Sequence, residues 1–276
     1  MSSTDRQVAK LDRVPLPIEA ARVGATGWQL TRTGARVLCR LAGKGSLSDK
    51  VIREVPQAFA DLGPTYVKLG QIIASSPGAF GEGLSKEFRS LLDSVPPADT
   101  AQVHRLFKEE LGADPAELFA SFDDEPFASA SIAQVHYATL HSGEDVVVKI
   151  QRPGIRRRVA ADLQILKRFA QVAEFAKTGR RLSAKDVVAD FAENLAEELD
   201  FRIEAQSMEA WVSGLHNSPL GRNITVPDVH WEFTSERVLT MARVEGVRID
   251  DVAAIRKQGL DGTELVKALL FSTFEG

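Results

Sequence analysis

Between residues 51 and 76 the apolar positions recur every three or four residues. Val55, Phe59, Leu62, Tyr66, Leu69 and Ile73 fall on one face of a helix. The Gly63-Pro64 pair inside this run divides it into two helices. Residues 84–92 repeat the helical spacing and stop before Pro96-Pro97. Thr100 is placed to cap a helix that runs to Leu111 and ends at Gly112. Asp114-Pro115 opens a short helix reaching Phe122 in the same way. Apart from a leader, the first 125 residues therefore predict helices alone.

The period then changes. Residues 126–140 are small and β-branched; a turn follows at 141–145, then the apolar run Val146-Val147-Val148-Lys149-Ile150. This pattern predicts two strands around a tight loop and a third, buried strand, closed by Pro153-Gly154. Residues 155–177 predict one helix and residues 183–211 a longer one, opened by Ser183 and Asp186 at capping-box spacing. Residues 224–231 and 237–244 predict two further strands, and residues 261–274 a last helix.

Composition narrows the classes. The 276 residues allow about two domains. Hydrophobic residues at 44% and charged residues at 26% are globular usage, which excludes a disordered tail or a coiled-coil rod. The single cysteine, Cys39, excludes an internal disulfide and a multi-cysteine zinc site, and the five histidines lack metal-helix spacing. No apolar run reaches the roughly 20 residues needed to span a bilayer, and the start of the chain does not resemble a signal peptide, so the expectation is a cytoplasmic protein. A net charge of −4 argues against a nucleic-acid partner held by bulk positive charge.

Charge is uneven, however. Residues 1–60 hold ten Lys and Arg against five Asp and Glu, so they carry +5 while the remainder carries −9. Two readings stand: contact with an anionic membrane surface or a partner, or a partly disordered leader with incidental charge. A second basic element comprises Arg152, Arg156, Arg157, Arg158, Lys167 and Arg168, with Asp162 its only acid. It reads either as a contact for anionic lipid headgroups or as a solvated helix face.

Strand, loop, strand, turn and a strand ending in Val-Val-Val-Lys form the layout of a kinase-type nucleotide lobe. There a backbone loop covers the phosphates, one Lys pairs with them, and a Glu from a following helix holds that Lys. Residues 127–133 would be the loop, and Lys149 follows Ser131 by 18 residues. Between Val148 and Ile150, Lys149 either alternates to the opposite face or lies at the exposed end of the strand, and it needs a partner. Candidates lie in Glu197-Glu198-Leu199-Asp200, expected late in the long second helix; these acids are either met by cations or form a solvated face. Ala128-Ser129-Ala130-Ser131 is stiffer than a glycine loop and offers hydroxyl donors, or is simply small packing in a strand.

Taken together, these residues resemble the UbiB/AarF-type atypical protein-kinase-like family, associated with isoprenoid quinone synthesis and lipid homeostasis. Lys68-Leu69-Gly70-Gln71 is similar to its KxGQ signature, Ala128 to Ser131 to its Ala-rich loop, Lys149 to its nucleotide-binding Lys, and Glu198-Leu199-Asp200 to its ExD signature, with Glu204 following. The resemblance covers residues 51–276.

It implies an α+β fold: a kinase-like N-lobe with a small antiparallel sheet, an N-terminal helical extension and a truncated helical C-lobe. The implied division is a leader at 1–50, the KxGQ extension at 51–125, the nucleotide lobe at 126–245 and the start of the C-lobe at 246–276. ATP would be held by Ala128, Ser129, Ala130, Ser131, Lys149, Glu198 and the hinge strand at Met241, with Lys149 paired to Glu198. Lys68, Gly70, Gln71, Asp200 and Glu204 would be regulatory, with Lys68 and Gln71 meeting Glu198 and Asp200.

The implied activity is an ATPase or phosphotransferase in quinone or lipid metabolism. The other reading is a nucleotide-gated pseudokinase scaffold for membrane lipid enzymes. The implied partners are ATP or ADP, an anionic membrane surface at its inner face, and lipid-metabolism enzymes, with no nucleic acid. The family's catalytic Asp-and-Asn loop and its magnesium-binding Asp-Phe-Gly are not found within these residues. The expectation is therefore no catalytic residue here, Mg2+ only in the complete protein, and a nearly inactive stretch with Leu265, Leu269, Leu270 and Phe274 left as an apolar patch prone to aggregation or partner binding.

Overall fold

Helices fill the first part of the chain: α1 (Leu47–Leu62), α2 (Pro64–Ser75), α3 (Pro77–Phe80), α4 (Glu82–Phe88), α5 (Thr100–Leu111) and α6 (Pro115–Leu118). The strands are β1 (Ser121–Phe122), β2 (Ala128–Ser129), β3 (Ala133–Thr139) and β4 (Asp145–Gln151). Then come α7 (Ile155–Phe175), α8 (Ala184–Glu198), α9 (Phe201–Leu215), a 3-10 turn at Trp231–Phe233, β5 (Val238–Ala242), α10 (Val252–Lys257) and α11 (Gly262–Glu275). The computed structural model describes residues 22–28, 31–32, 47–89, 96–175, 183–215, 224–249 and 251–275. Most of the predicted leader, Cys39 included, lies outside them, although residues 22–28 are helical.

Two compact units form. The first takes residues 1–98, 128–134 and 151–199; the second takes 99–127, 135–150 and 200–276. In the first, α1, α2 and α4 pack together, α2 also meets α7, and α7 packs along α8. Gly63, at φ 102, makes the turn between α1 and α2, and Pro64 sits at the first position of α2, where its missing N–H costs nothing. Phe59 meets Tyr66 and Phe88 edge-on, at 5.9 and 4.9 Å between ring centroids.

The second unit is built on a small antiparallel sheet in the order β1-β3-β4-β5. β4 alternates: Val146, Val148 and Ile150 are fully buried, whereas Val147 and Lys149 point to the other face. β4 lies antiparallel to β5, which sets Val147 opposite Met241 and Lys149 opposite Leu239. Phe107 of α5, Phe119, Phe122 of β1, His136 of β3 and Phe233 form one aromatic cluster. Burial holds His136 below its ordinary value, and its Nδ1 lies 2.7 Å from the Asp123 carbonyl.

Several predicted boundaries move, each for a local reason. The cap of α5 is Asp99, whose carboxylate accepts the Gln102 N–H, so Thr100 is the first helical residue. The helix expected to reach Phe122 ends at Leu118, and Ser121–Phe122 pairs with Thr139 and Ala138 as a strand. The helix expected over 183–211 breaks at Leu199–Asp200. Asp200 Oδ1 accepts the Arg202 N–H and starts α9 afresh. Of the strand expected at 224–231 only a bridge between Val229 and Met241 forms, and a 3-10 turn follows. α10 was not expected at all. Leu269 and Leu270 are exposed, while the side chain of Phe274 lies outside the described residues.

The aromatic cluster makes a stability prediction. Phe107 is 0% exposed, so Phe107→Ala should cost about 3–5 kcal/mol in urea unfolding, and Phe127→Ala, at 49% exposed, far less. Equal losses would place the core elsewhere.

Candidate functional site

In the second unit the pleat of β4 sends Lys149 away from the core, and α9 receives it. Its Nζ donates to both Glu204 carboxylate oxygens, at 2.8 and 2.7 Å. It also lies 4.8 Å from the centre of the Phe201 ring. Glu204 sits in the first turn of α9, where the helix dipole favours a carboxylate. The partner of Lys149 is thus Glu204 and not the expected Glu198. The break at Leu199 is the reason: it starts a new helix whose first turn, not the end of α8, presents the carboxylate.

The same sheet face carries an open cleft of about 590 Å3, lined by Phe127, Tyr137, Val147, Arg243, Val244, Glu245, Gly246 and Gln258. Tyr137 stacks on Phe127 at 4.0 Å and 10°, and the Arg243 guanidinium lies 4.4 Å over the Tyr137 ring. Met241 is half-buried beside Val147, and the segment that leaves β5 after it forms one wall of the cleft. A flat aromatic-and-guanidinium surface beside a lysine suits a planar, anionic ligand. Glu204, Tyr137, Phe127 and Arg243 were not legible as one group. They come together only once β3, β4 and β5 are in register and α9 has its own start.

In the first unit, Lys68 of α2 pairs with Glu198 at the end of α8, at 2.6 Å, as the resemblance implied. Gly70 is buried on the same helix and Gln71 half-buried. In the second unit Asp200 is buried, and its carboxylate binds the Arg202 guanidinium through Nε at 2.9 Å and Nη2 at 2.7 Å. That bond raises the guanidinium above its ordinary value.

The Ala-rich loop is tied down. Arg152 donates through Nε to the Ala130 carbonyl at 2.9 Å, through Nη2 to Ser129 Oγ at 2.6 Å and through Nη1 to the Pro96 carbonyl at 2.8 Å. Its backbone N–H reaches the Ile132 carbonyl, and Ala130 N–H reaches the Ala133 carbonyl. Ser131 is buried, while Ala128 and Ala130 are exposed. The loop is therefore held by a side chain three residues beyond Lys149 as well as by its lack of glycine.

Arg156 donates to Gln151 Oε1 and the Leu199 carbonyl, and Arg158 to the Leu62 carbonyl. Three members of the basic run, for which a lipid contact and a solvated helix face were both open, are thus engaged with protein oxygens. Among the described residues no helix is long and apolar enough to cross a membrane, and no cluster of three or more His, Cys, Asp or Glu is arranged to hold a metal.

Comparison with known proteins gives consistent matches. The family model for the ABC1 atypical kinase-like domain matches residues 90–276. An uncharacterized protein of Mycobacterium tuberculosis is 78% identical over 275 residues, which is 100% of this chain and 56% of the relative. The probable protein kinase UbiB of Azotobacter vinelandii is 42% identical over 205 residues, 74% of this chain and 38% of the relative. That of Cellvibrio japonicus is 39% identical over 212 residues, 76% and 38% respectively. Among solved structures, a Mycobacterium tuberculosis protein in complex with erythromycin is 34% identical, with a TM-score of 0.49, covering 70% of this chain and 46% of that one. The chain spans about half the length, or less, of the relatives it matches.

The loop clamp is testable directly. Arg152→Ala should speed amide hydrogen exchange at residues 129–132 and cost about 1 kcal/mol of stability, because it strips one shared donor group from Ser129, Ala130 and Pro96. Unchanged exchange in that loop would show that the alanines alone hold it.

Proposed function

The chain belongs to the ABC1 atypical kinase-like family, and from that premise we propose that these residues form the nucleotide-holding part of an atypical kinase-like protein. The observation that carries the reading is the Lys149–Glu204 pair on the sheet face that also bears the Phe127–Tyr137–Arg243 cleft. A nucleotide has a planar base and an anionic tail, and the two features match those two ends. In this reading the base lies in the cleft, against the segment that leaves β5 at Met241. Lys149, held ready by Glu204, meets the phosphates.

Ala128, Ser129, Ala130 and Ser131 serve the phosphates as a fixed loop. Glu198 serves indirectly, through Lys68. Lys68, Gly70, Gln71 and Asp200 regulate access, and the helical extension at 51–125 is a regulatory element of the nucleotide lobe. The ligand we propose is ATP or ADP, with Mg2+ arriving on the nucleotide.

Phosphoryl transfer or ATP hydrolysis requires carboxylates that hold the metal, and we place only the nucleotide grip in these residues. The acceptor chemistry we assign to isoprenoid quinone or lipid metabolism, at a peripheral membrane location, which is the association the family carries.

Titration of the chain with ATP and with ADP, in the presence of magnesium, tests the grip. Saturable binding is expected, and Lys149→Ala should weaken it about tenfold to a hundredfold, the worth of charge-assisted contacts to phosphate. Glu204→Gln should weaken it less, since Lys149 keeps its charge. Affinity unchanged in Lys149→Ala would overturn the reading.

A further inference from the structure

A second ionic cluster lies in the first unit, away from Lys149 and unused by the reading above. Its centre is Asp162 of α7, a carboxylate that is 0% exposed. Arg22, from the helical residues 22–28, donates to it through Nε at 2.5 Å and through Nη2 at 3.0 Å. Thr65, in the first turn of α2, donates its hydroxyl to the same carboxylate at 2.7 Å. Arg22 Nη2 also donates to the Leu62 carbonyl at 2.6 Å, and Arg158 donates to that carbonyl at 3.0 Å. Three elements therefore meet at one buried charge: the leader, the turn into α2, and α7.

The turn has little freedom of its own. Gly63 is at φ 102, and a Cβ added there would overlap the Arg158 guanidinium. The start of α2 is thus fixed by two arginines and one carboxylate, and Lys68 follows Thr65 by a single helical turn. A buried charge that loses a partner is costly, so the hold of Asp162 on α2 is weakened when Arg22, its hydrogen-bonded cation, is withdrawn, with Arg158 left as the second cation near it. The hydroxyls of Thr26 and Tyr66 are buried in the same seam, Tyr66 beside Thr26 and Asp162, while the Arg22 side chain stays 17% exposed. Arg22 is therefore a member of the seam that solvent reaches.

We propose that Asp162 is the positioning residue of the helix that carries Lys68, and that residues 22–28 act through Arg22 as a releasable strap on that helix. The strap sets how firmly Lys68 holds Glu198, six residues before Glu204 along the chain. It makes nucleotide binding responsive to whatever grips or displaces the leader. This inference rests on the nucleotide reading for its functional readout.

A double-mutant cycle on the full chain tests it, with ADP and magnesium as the probe and thermal unfolding as the folding control. Arg22→Ala should shift the ADP Kd about threefold or more, in the same direction as Lys68→Ala, and should add nothing when Lys68 is already Ala. A Kd that Arg22→Ala leaves unchanged, or shifts as much without Lys68, overturns the proposal. Thr65→Val removes one bond to the same carboxylate and replaces Arg22→Ala in the cycle if the latter fails to fold. If the wild-type chain binds neither ADP nor ATP, the nucleotide reading fails, and amide exchange then decides the strap separately. Faster exchange confined to α2 in Arg22→Ala supports it; unchanged or uniformly faster exchange overturns it.

Discussion

The carbonyl oxygen of Leu199 is the point on which the two lysine sites depend. It accepts from Gln151, which is itself fully buried, at 2.7 Å, and from Arg156. A carbonyl with two side-chain donors no longer needs a helical partner, so α8 stops there and the chain can turn. The turn sorts three acids that are close in sequence into three roles. Glu198 ends α8 on Lys68, Asp200 caps α9, and Glu204 faces Lys149 from the first turn of α9. Had the helix run on, Asp200 would have had no free N–H to cap.

Three arginines of the basic run after β4 act at breaks in the chain. Arg152 ties the Ala-rich loop, Arg156 the break between α8 and α9, and Arg158 the turn between α1 and α2. Each guanidinium satisfies a carbonyl that secondary structure has left without a partner, a use suited to a side chain with five donors in a rigid fork. In this kinase-like α+β fold, short-range irregularity is paired with long-range arginine contacts. Three arginines of this dense positive stretch are thus engaged with carbonyls, while Arg157, Arg168 and Arg158 itself remain exposed.

Much of this was legible in the sequence. The Gly63-Pro64 division, the end of α5 at Gly112, the alternation of β4 and the Ser183 cap of α8 all follow from local chemistry. The pair of Lys68 with Glu198 followed from the family's signatures. The exchange of Glu198 for Glu204 beside Lys149 did not, because it turns on the Leu199 break. Nothing within residues 195–205 announces that Gln151 will take that carbonyl. Likewise Tyr137 and Phe127 lie more than a hundred residues before Arg243, and the three become neighbours only through strand register. The strand expected at 224–231 is reduced to a bridge at Val229 and gives way to a 3-10 turn that Thr234 braces by donating to the His230 carbonyl, a contact with no apolar periodicity to betray it.

The rims of the sheet have a consequence for how the protein meets copies of itself. An open edge of unpaired peptide groups invites strand addition from a second molecule. One rim here is β1, only two residues long. The other is β5, whose outer side is already engaged: His230 N–H reaches the Thr240 carbonyl and Ala242 N–H reaches the Asp228 carbonyl. Among the described residues, neither rim offers a run of free groups long enough to seed an intermolecular ladder.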